Sequence, residues 1–321
     1  MPQRLNYSAH VCDELRTLAA QFRRNGKRPG DREAIEEWIE DIDTSVKYQL
    51  PENGQYISHS KPLPVGMMLQ RLPYRSVSLE VPYPMSADPI AREDGLTAST
   101  RRHILCRETR QVHAGTDADG NDMYLYEYDA GEPDGIHIQA VSWLDKNRCW
   151  IPLTCGAFLP YSEPVVLEDA FSGDGRRYAF TSAFGALPDF AAEEKARLGM
   201  EEFIRNMSID ITAEVKITVE FLQVLACRNI REIESAPPRV LNTQRRRKGK
   251  TPFDVVRMLT VGDVMIGGAS RLATSDNQFK VREHMRTGHI RRLPGQQVWV
   301  SDCIVAAGSP MGRVSKGYVL N

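Results

Sequence analysis

Residues 103–130, HILCRETRQVHAGTDADGNDMYLYEYDA, contain two extended arms separated by a polar turn. The arms, 103–114 and 123–130, are rich in β-branched and aromatic residues, which favour strands. Between them, residues 116–122 carry the Asp and Gly residues that are typical of a tight hairpin turn. This stretch therefore predicts an antiparallel hairpin, and with it an antiparallel sheet at the centre of the fold.

Further strands are predicted on both sides of this hairpin. Upstream, apolar and polar residues alternate through residues 74–83, which is the pattern of a half-buried strand. Downstream, residues 136–143 and 149–153 have the composition of two more strands, separated by a polar turn. Residues 55–188 are therefore predicted to form a β-rich region.

The acidic turn at 117–122 also resembles a calcium-binding loop, but two positions do not fit. Gly120 is fourth in the loop, where a calcium loop has its glycine sixth, and Tyr128 stands where the loop needs a bidentate Glu. The chain also lacks a Walker loop, a dinucleotide-binding glycine motif and an H-E-x-x-H motif. We expect neither a metal nor an organic cofactor.

Amphipathic helices are predicted before and after the β-rich region. Residues 10–25 have helical apolar spacing, and a second helix is expected to begin at a cap on Asp31 and to end at residues 51–54. Residues 189–206 and 210–229 predict a long helix pair. The expected fold is α+β, in four regions. These are an N-terminal helical hairpin (1–54), the β-rich region (55–188), the helix pair (189–236) and a basic C-terminal β region (237–321).

The cysteines and the hydropathy of the chain bear on its environment. Its six cysteines are scattered without a C-x-x-C pair, so we expect reduced and mostly buried thiols, with neither a disulfide framework nor a zinc knuckle. No apolar run approaches the roughly 18 residues that span a bilayer, and the N-terminus has no uninterrupted apolar signal segment. These observations predict a cytoplasmic protein without a membrane partner.

Charge is distributed unevenly along the chain. Residues 236–321 contain fifteen Lys and Arg against five Asp and Glu, a net charge of +10, which leaves 26 against 37, or −11, for residues 1–235. A basic segment of this kind favours a phosphate-bearing partner. The alternative is that the acidic and basic parts of the chain pack against each other.

Two stretches concentrate the positive charge. The run at 244–250, QRRRKGK, has no apolar side chain and is predicted to be a mobile loop. Residues 279–300 contain a Leu-Pro-Gly turn at 293–295, flanked by two predicted strands. The alternative for this second stretch is a solvent-exposed edge strand whose charged side chains prevent pairing with another chain. The predicted nucleic-acid-binding residues are Arg245, Arg246, Arg247, Lys248, Lys250, Arg282, Arg286, Arg291 and Arg292.

Two histidines in the second stretch, His284 and His289, are the weak candidates for catalysis. Five positions separate them, which is a poor spacing for a shared metal. Because imidazole titrates near neutrality, either histidine is chemically able to act as a general base beside Arg286 in a ribonuclease-like site. No catalytic residue is otherwise indicated, and a binding protein is favoured over an enzyme.

The C-terminal region resembles the second described family of type V-A anti-CRISPR proteins, which are encoded by phages and mobile elements. The resemblance is carried by a proline-led basic loop, by a His-x-Arg-x-Gly-His segment and by an aromatic-valine strand. The residues are Pro238, Asn242, Arg246, Gly249 and Pro252, then His284, Arg286, Gly288 and His289, then Trp299 and Val300. Members often have an aromatic residue after that histidine, whereas this chain has Ile290.

The resemblance implies an inhibitor of host defence. Proteins of that family lower production of the CRISPR effector nuclease, recognise its nascent N-terminal peptide and cause loss of its message. Applied to this chain, the resemblance implies an effector peptide as one partner, with RNA or the ribosome at the basic surface. The alternatives are a phage nucleic-acid-binding protein, a histidine-dependent ribonuclease, and a structural phage component with no nucleic-acid role.

Overall fold

The structure is a computed structural model with an α+β fold. It describes residues 5–56, 67–83, 99–116, 122–128, 131–165, 170–171, 177–178, 183–261, 264–265, 271–272, 284–286, 289–300 and 303–305.

Helices occur before, between and after the main strands. They are α1 (Tyr7–Asn25), α2 (Pro29–Thr44), the 3₁₀ turn η1 (Glu52–Gly54), α3 (Pro188–Leu198), α4 (Met200–Leu225) and α5 (Arg239–Arg247). The strands up to the helix pair are β1 (Val46–Gln49), β2 (Met67–Met68), β3 (Ser76–Pro82), β4 (Ser99–Thr116), β5 (Asp122–Glu127), β6 (Gly135–Leu144), β7 (Cys149–Pro160), β8 (Pro164–Val165), β9 (Ala170–Phe171), β10 (Arg177–Tyr178) and β11 (Ala183–Gly185). Those after it are β12 (Ile230–Ser235), β13 (Val256–Val261), β14 (Val264–Met265), β15 (Arg271–Leu272), β16 (His284–Arg286), β17 (His289–Leu293), β18 (Gln296–Val300) and β19 (Cys303–Val305).

A mixed ten-stranded sheet organises the fold. Its order is β11-β7-β6-β4-β3-β1-β13-β12, with β5 paired to β4 and β14 paired to β13. Strand β1 is parallel to both of its neighbours, while the other pairs in this sheet are antiparallel. Smaller groups are β2-β8, β9-β10, β15-β19-β16 and β17-β18. Each of the four regions expected from the sequence contributes at least one strand to the large sheet.

Helices cover both faces of this sheet. Val77 and Leu79 of β3 are fully buried in a core that includes Phe221 of α4. The alternate residues of the same strand face the other helices, because Ser78 hydrogen-bonds Ser45 after α2 and Glu80 accepts hydrogen bonds from Ser8 of α1. Thus α1 and α2 lie on one face of the sheet and α4 lies on the other.

The strand predicted at 74–83 is buried on both faces, so its prediction as half-buried is wrong. Every residue from Val77 to Val81 is buried. The polar member Glu80 is 1% exposed and accepts from the backbone N–H and the hydroxyl of Ser8, at 2.9 and 2.7 Å. Alternation of polar and apolar side chains therefore reflects two different buried environments, and only one of them is apolar.

The central hairpin is confirmed as β4 and β5, which pair in an antiparallel register from Arg110 with Glu127 to Thr116 with Asp122. The strands predicted at 136–143 and 149–153 are confirmed as β6 and β7, although β7 continues to Pro160. The turn residues at 117–121 lie outside the described residues.

The N-terminal helical hairpin is also confirmed, but its second helix is shorter than predicted. Helix α2 ends at Thr44, and residues 46–49 form β1, which lies between β3 and β13. The sequence predicted that this helix would continue to 51–54. Burial of Tyr48 between two strands, with its ring centroid 4.9 Å from that of Phe221, favours the extended conformation instead.

The helix caps at Asp31 and Asp189 are exchanged between two helices. Asp31 Oδ1 accepts from the backbone N–H groups of Asp189 and Phe190 at the start of α3, at 2.8 and 3.3 Å. Asp189 Oδ2 accepts in return from Gly30 and Asp31 at the start of α2, at 2.8 and 3.1 Å. The prediction that Asp31 caps its own helix is therefore wrong, because each aspartate satisfies the free N–H groups of the other helix.

The long helix pair is confirmed, with its break in a different place. Helices α3 and α4 meet at Gly199, whose φ of 81° and ψ of 162° are favourable only for glycine. The sequence predicted a break between Asn206 and Asp210, but both residues lie inside α4.

The basic run at 244–250 is not a loop, which corrects the prediction of a mobile segment. Its first four residues form the last turn of α5, and its end is held by backbone hydrogen bonds from Lys248, Gly249 and Lys250 to carbonyl groups of α5. The reason is a set of tertiary contacts to α1, described below. The sequence did not predict strand β12 either.

Two further findings concern thiols and the membrane. Cys12, Cys106, Cys155 and Cys227 are buried and free, as expected from their scattered positions. Across the helices that the structure describes, we find none with the length and apolar character needed to cross a bilayer.

Candidate nucleic-acid interface

Helix α5 is fixed to α1 by three residues. Arg245 donates from Nη2 to Asp13 Oδ2 at 2.8 Å and from Nε to the carbonyl oxygen of Thr251 at 2.5 Å. Asp13 Oδ1 accepts from the backbone N–H and the hydroxyl of Thr251, at 2.9 and 2.8 Å. We call Asp13, Arg245 and Thr251 the clamp, because together they hold α5 and the segment that follows it in one position.

An aromatic ring lies over the charged part of the clamp. The guanidinium carbon of Arg245 is 4.2 Å from the centre of the Phe253 ring, and the His10 ring lies 5.7 Å from the same ring. Burial, followed by the charge of Arg245, lowers the pKa of His10. His10 therefore contributes packing, and not positive charge, at neutral pH.

The residues that carry the sequence resemblance in this segment have identifiable structural roles. The carbonyl oxygen of Pro238 accepts the first backbone hydrogen bonds of α5. The side-chain N–H of Asn242 donates to the backbone carbonyl of Phe253 at 2.8 Å, and its side-chain oxygen accepts from the backbone N–H of Phe253 at 2.7 Å. The two bonds imitate those that a neighbouring strand would make. Gly249 ends the helix at a φ of 63°, in the left-handed region that glycine tolerates. These three positions shape the loop that follows α5.

Four cations at the end of α5 face the solvent. They are Arg246, Arg247, Lys248 and Lys250, and all of them are exposed. By contrast, only 12% of the Arg245 side chain is exposed and its guanidinium is paired with Asp13. Arg245 is therefore a clamp residue, unlike the four exposed cations that were predicted together with it.

An open groove runs beside these cations. It has a volume of about 520 Å³ and lies between α1, the end of α2 and the loop after α5. Arg16, Arg246 and Lys250 supply positive charge to its walls, while Asp43 and Asp254 supply negative charge. Both carboxylates are paired: Asp43 Oδ2 accepts from Arg16 Nη2 at 2.6 Å, and Asp254 Oδ2 lies 3.3 Å from Lys47 Nζ. The groove is therefore lined by three cations and by two carboxylates that are already paired.

The second basic stretch forms the predicted hairpin. Strands β17 and β18 pair from His289 with Val300 to Leu293 with Gln296, and the turn contains Gly295 at a φ of 73°. Trp299 is 4% exposed and joins the core beside α4. Asn229 fixes the hairpin by donating to the Trp299 carbonyl at 2.8 Å and accepting from its N–H at 2.7 Å.

Arg291 and Arg292 are the exposed predicted contacts on this hairpin, whereas His289 is partly buried. The described structure does not bring them together with the α5 cations. The hairpin contacts Arg228 and Asn229 just before β12, and α5 follows the other end of that strand. Six residues of strand span about 17 Å. The hairpin also packs beside α4, whereas α5 contacts α1 on the opposite face of the sheet.

Only some of the remaining predicted residues lie within the described ranges. His284 and Arg286 lie in β16, which pairs with β19, so His284 and His289 belong to two different small sheets. Arg282 and Gly288 lie outside the described residues. In the ranges given above, no group of three or more His, Cys, Asp or Glu side chains could hold a metal ion.

Sequence reasoning missed Asp13, Arg16 and Thr251, which shape this interface. Asp13 and Thr251 are 238 positions apart. Locally, Asp13 and Arg16 look like ordinary solvated positions on an amphipathic helix, and no motif connects them to the basic run. The only available signal was the excess of acid in one part of the chain and of base in the other.

Comparison of this chain with protein-family models, with curated proteins and with solved structures found no match.

Proposed function

We propose that this chain is a regulatory protein of the anti-CRISPR kind that binds RNA with the basic end of α5 and catalyses no reaction. The observation that carries the RNA contact is the exposure of Arg246, Arg247, Lys248 and Lys250 on a segment that the clamp holds rigid. Ordered cations bind phosphate without first losing loop entropy, and each phosphate that they neutralise releases counterions.

The second part of this proposal concerns the target. From its sequence resemblance, we propose that the protein acts in the cytoplasm of a host bacterial cell. There it recognises the nascent N-terminal peptide of a CRISPR effector and lowers production of that effector. In this scheme the basic surface holds the message or the ribosome while the peptide binds elsewhere.

A groove of about 290 Å³ near the α3–α4 junction supports a peptide-binding role. Phe190, Leu198 and Phe203 give it half-buried apolar walls, while Asp210 and the ion pair of Glu194 with Arg197 add polar groups. Such a lining suits a short segment with apolar and polar side chains.

The RNA contact is tested with a fourfold alanine variant of Arg246, Arg247, Lys248 and Lys250. We expect at least a tenfold loss of affinity for a fluorescein-labelled RNA, measured by fluorescence anisotropy at fixed salt. The matched control removes four exposed cations from other surfaces, namely Arg24, Lys27, Arg110 and Lys146. Equal losses in both variants would show that the binding follows net charge alone and would remove α5 from the mechanism.

The target is tested in cells that produce a type V effector together with this protein. Effector protein and effector message are measured by immunoblotting and quantitative reverse transcription. We expect both to fall with the wild-type chain and to recover with the fourfold variant. Unchanged effector levels with the wild-type chain would contradict the anti-CRISPR proposal. Cleavage of RNA by the purified protein that is lost in His289→Ala would support the ribonuclease alternative instead.

A further inference from the structure

The groove beside α5 contains an arginine from a distant part of the chain. Arg16 of α1 is 45% exposed and donates from Nη2 to Asp43 at 2.6 Å and from Nη1 to the hydroxyl of Thr251. A guanidinium has five N–H donors, so these two bonds leave further donors available. Arg16 therefore presents hydrogen-bonding capacity to the groove while remaining fixed at two points.

The distribution of charge makes this groove suitable for one phosphate. Asp43 and Asp254 are each paired with a cation, Arg16 and Lys47 respectively. Arg246 and Lys250 line the groove and are exposed. An incoming phosphate would therefore meet two exposed cations and would share Arg16 with Asp43.

The dimensions of the groove point to a single strand. A volume of about 520 Å³ lies within the roughly 300–1,000 Å³ of sites that hold one small organic ligand. The bases of a duplex are paired and stacked, so they are not free to enter the groove, whereas an unpaired base of a single strand is. Pro252 and Phe253 provide an apolar wall on which a base or a ribose can pack.

We propose that this groove binds one nucleotide of a single-stranded RNA. Its phosphate lies between Arg16, Arg246 and Lys250, and Asp43 acts as an internal competitor for Arg16. This inference rests on the proposed RNA-binding function and adds the strandedness of the ligand and the part played by α1. It predicts that removing the negative charge of Asp43 strengthens RNA binding.

The test uses two variants, Arg16→Ala and Asp43→Asn, in the full chain. Affinity is measured by anisotropy for a fluorescein-labelled single-stranded RNA of about ten nucleotides and for the same sequence as a duplex. For the single strand, we expect Arg16→Ala to weaken binding about five- to tenfold, because it removes a charge-assisted hydrogen bond. Asp43→Asn should strengthen it about threefold, because Arg16 is released.

The same two helices supply a matched control. Arg23 and Glu36 form a second ion pair between α1 and α2, also at 2.6 Å, and neither residue lines the groove. Arg23→Ala and Glu36→Gln should leave the affinity unchanged. Thermal unfolding of all four variants checks that they fold.

The possible outcomes separate the two proposals. If the fourfold α5 variant loses binding while the Arg16 and Asp43 variants match their controls, RNA binding stands and the groove is not the site. If Asp43→Asn weakens binding, or if duplex RNA binds as tightly as the single strand, the proposal for the groove is also overturned. If no variant, including the fourfold one, changes the affinity, both proposals fail.

Discussion

Adjacent residues of the same type have opposite roles in this protein. Arg245 and Arg246 are neighbours in a run of four cations, yet Arg245 is paired with Asp13 while Arg246 is exposed and lines the groove. The helical rotation of about 100° per residue separates them. A similar contrast holds for the histidines, because His103 is fully buried whereas His113 is exposed.

Arg245→Ala should destabilise the fold by about 2 kcal/mol, since it leaves the partly buried carboxylate of Asp13 without its cation. Arg247→Ala, two positions away on the exposed side of α5, should change the free energy of unfolding by no more than about 0.5 kcal/mol. Urea unfolding followed by circular dichroism measures both. Similar effects of the two substitutions would contradict the structural role given to Arg245.

His103 should make the protein sensitive to acid. Neither ring nitrogen forms a hydrogen bond to any described residue, and burial, followed by the charge of Lys47, lowers the pKa of His103 to about 3. Its contribution to stability is therefore present above pH 6.5. It is lost as the pH falls towards 3, at up to about 1.4 kcal/mol per pH unit, because the unfolded chain binds a proton that the folded chain does not. Glu80, whose pKa is raised by burial, acts in the opposite direction at low pH.

His103→Gln isolates this effect. We expect the dependence of unfolding free energy on pH to become shallower by about one proton between pH 6 and 4. His113→Gln, which removes an exposed imidazole from the same strand, serves as the control. An unchanged pH dependence in the His103 variant would show that another group controls acid unfolding.

At the scale of elements, α2 and α3 stabilise each other through their first turns. Their N-termini exchange the carboxylates of Asp31 and Asp189, so neither helix is fully capped without the other. Asp31 is fully buried, and burial raises its pKa despite the two N–H donors. The two helices are thereby coupled, although most strands of the large sheet lie between them along the chain.

Asp189→Ala should destabilise the fold by about 1 kcal/mol, and Asp31→Ala by about 2 kcal/mol, because its site is more deeply buried. The double variant should cost less than the sum of the two, since each cap depends on the other helix being in place. Thermal or urea unfolding of the four proteins gives the coupling energy. Glu33→Ala, at an exposed position on α2, is the control. Strict additivity would argue against reciprocal capping.

At the scale of the whole molecule, the excess positive charge of residues 236–321 is divided between two places. The α5 cations and the hairpin lie near opposite ends of β12 and on different faces of the sheet. If the proposed RNA binding is correct, a long RNA would contact both places and a short one would contact only one. Part of the charge is also internal, because Arg245 and Arg257 are paired with carboxylates.

Arg291→Ala should therefore have an effect that depends on RNA length. With an RNA of about thirty nucleotides we expect weaker binding and a slope of log affinity against log salt that is smaller by about 0.7. With about six nucleotides bound at α5, the same substitution should have no effect. Salt titrations followed by anisotropy measure this. Equal losses for both lengths would place the hairpin and α5 in one continuous site.

Much of this architecture could be predicted from local patterns. The hairpin of β4 and β5, strands β6 and β7, the helices α1 to α4 and the turn at Gly295 all follow from periodicity and turn residues, which act over a few positions. The ends of elements could not be predicted in the same way, as the breaks after Thr44 and at Gly199 show. Those ends depend on what each segment packs against.

The sequence by itself determined the class of fold, the main elements and the concentration of positive charge near the C-terminus. Only the tertiary structure decided which cations face the solvent, that α5 is a helix, and that Arg16 lines the same groove as Lys250. The physical reason is that the clamp, the exchanged caps and the parallel position of β1 join residues far apart in the chain. Such contacts form by burial and by pairing of charges across the folded molecule, and no short stretch of sequence contains both partners.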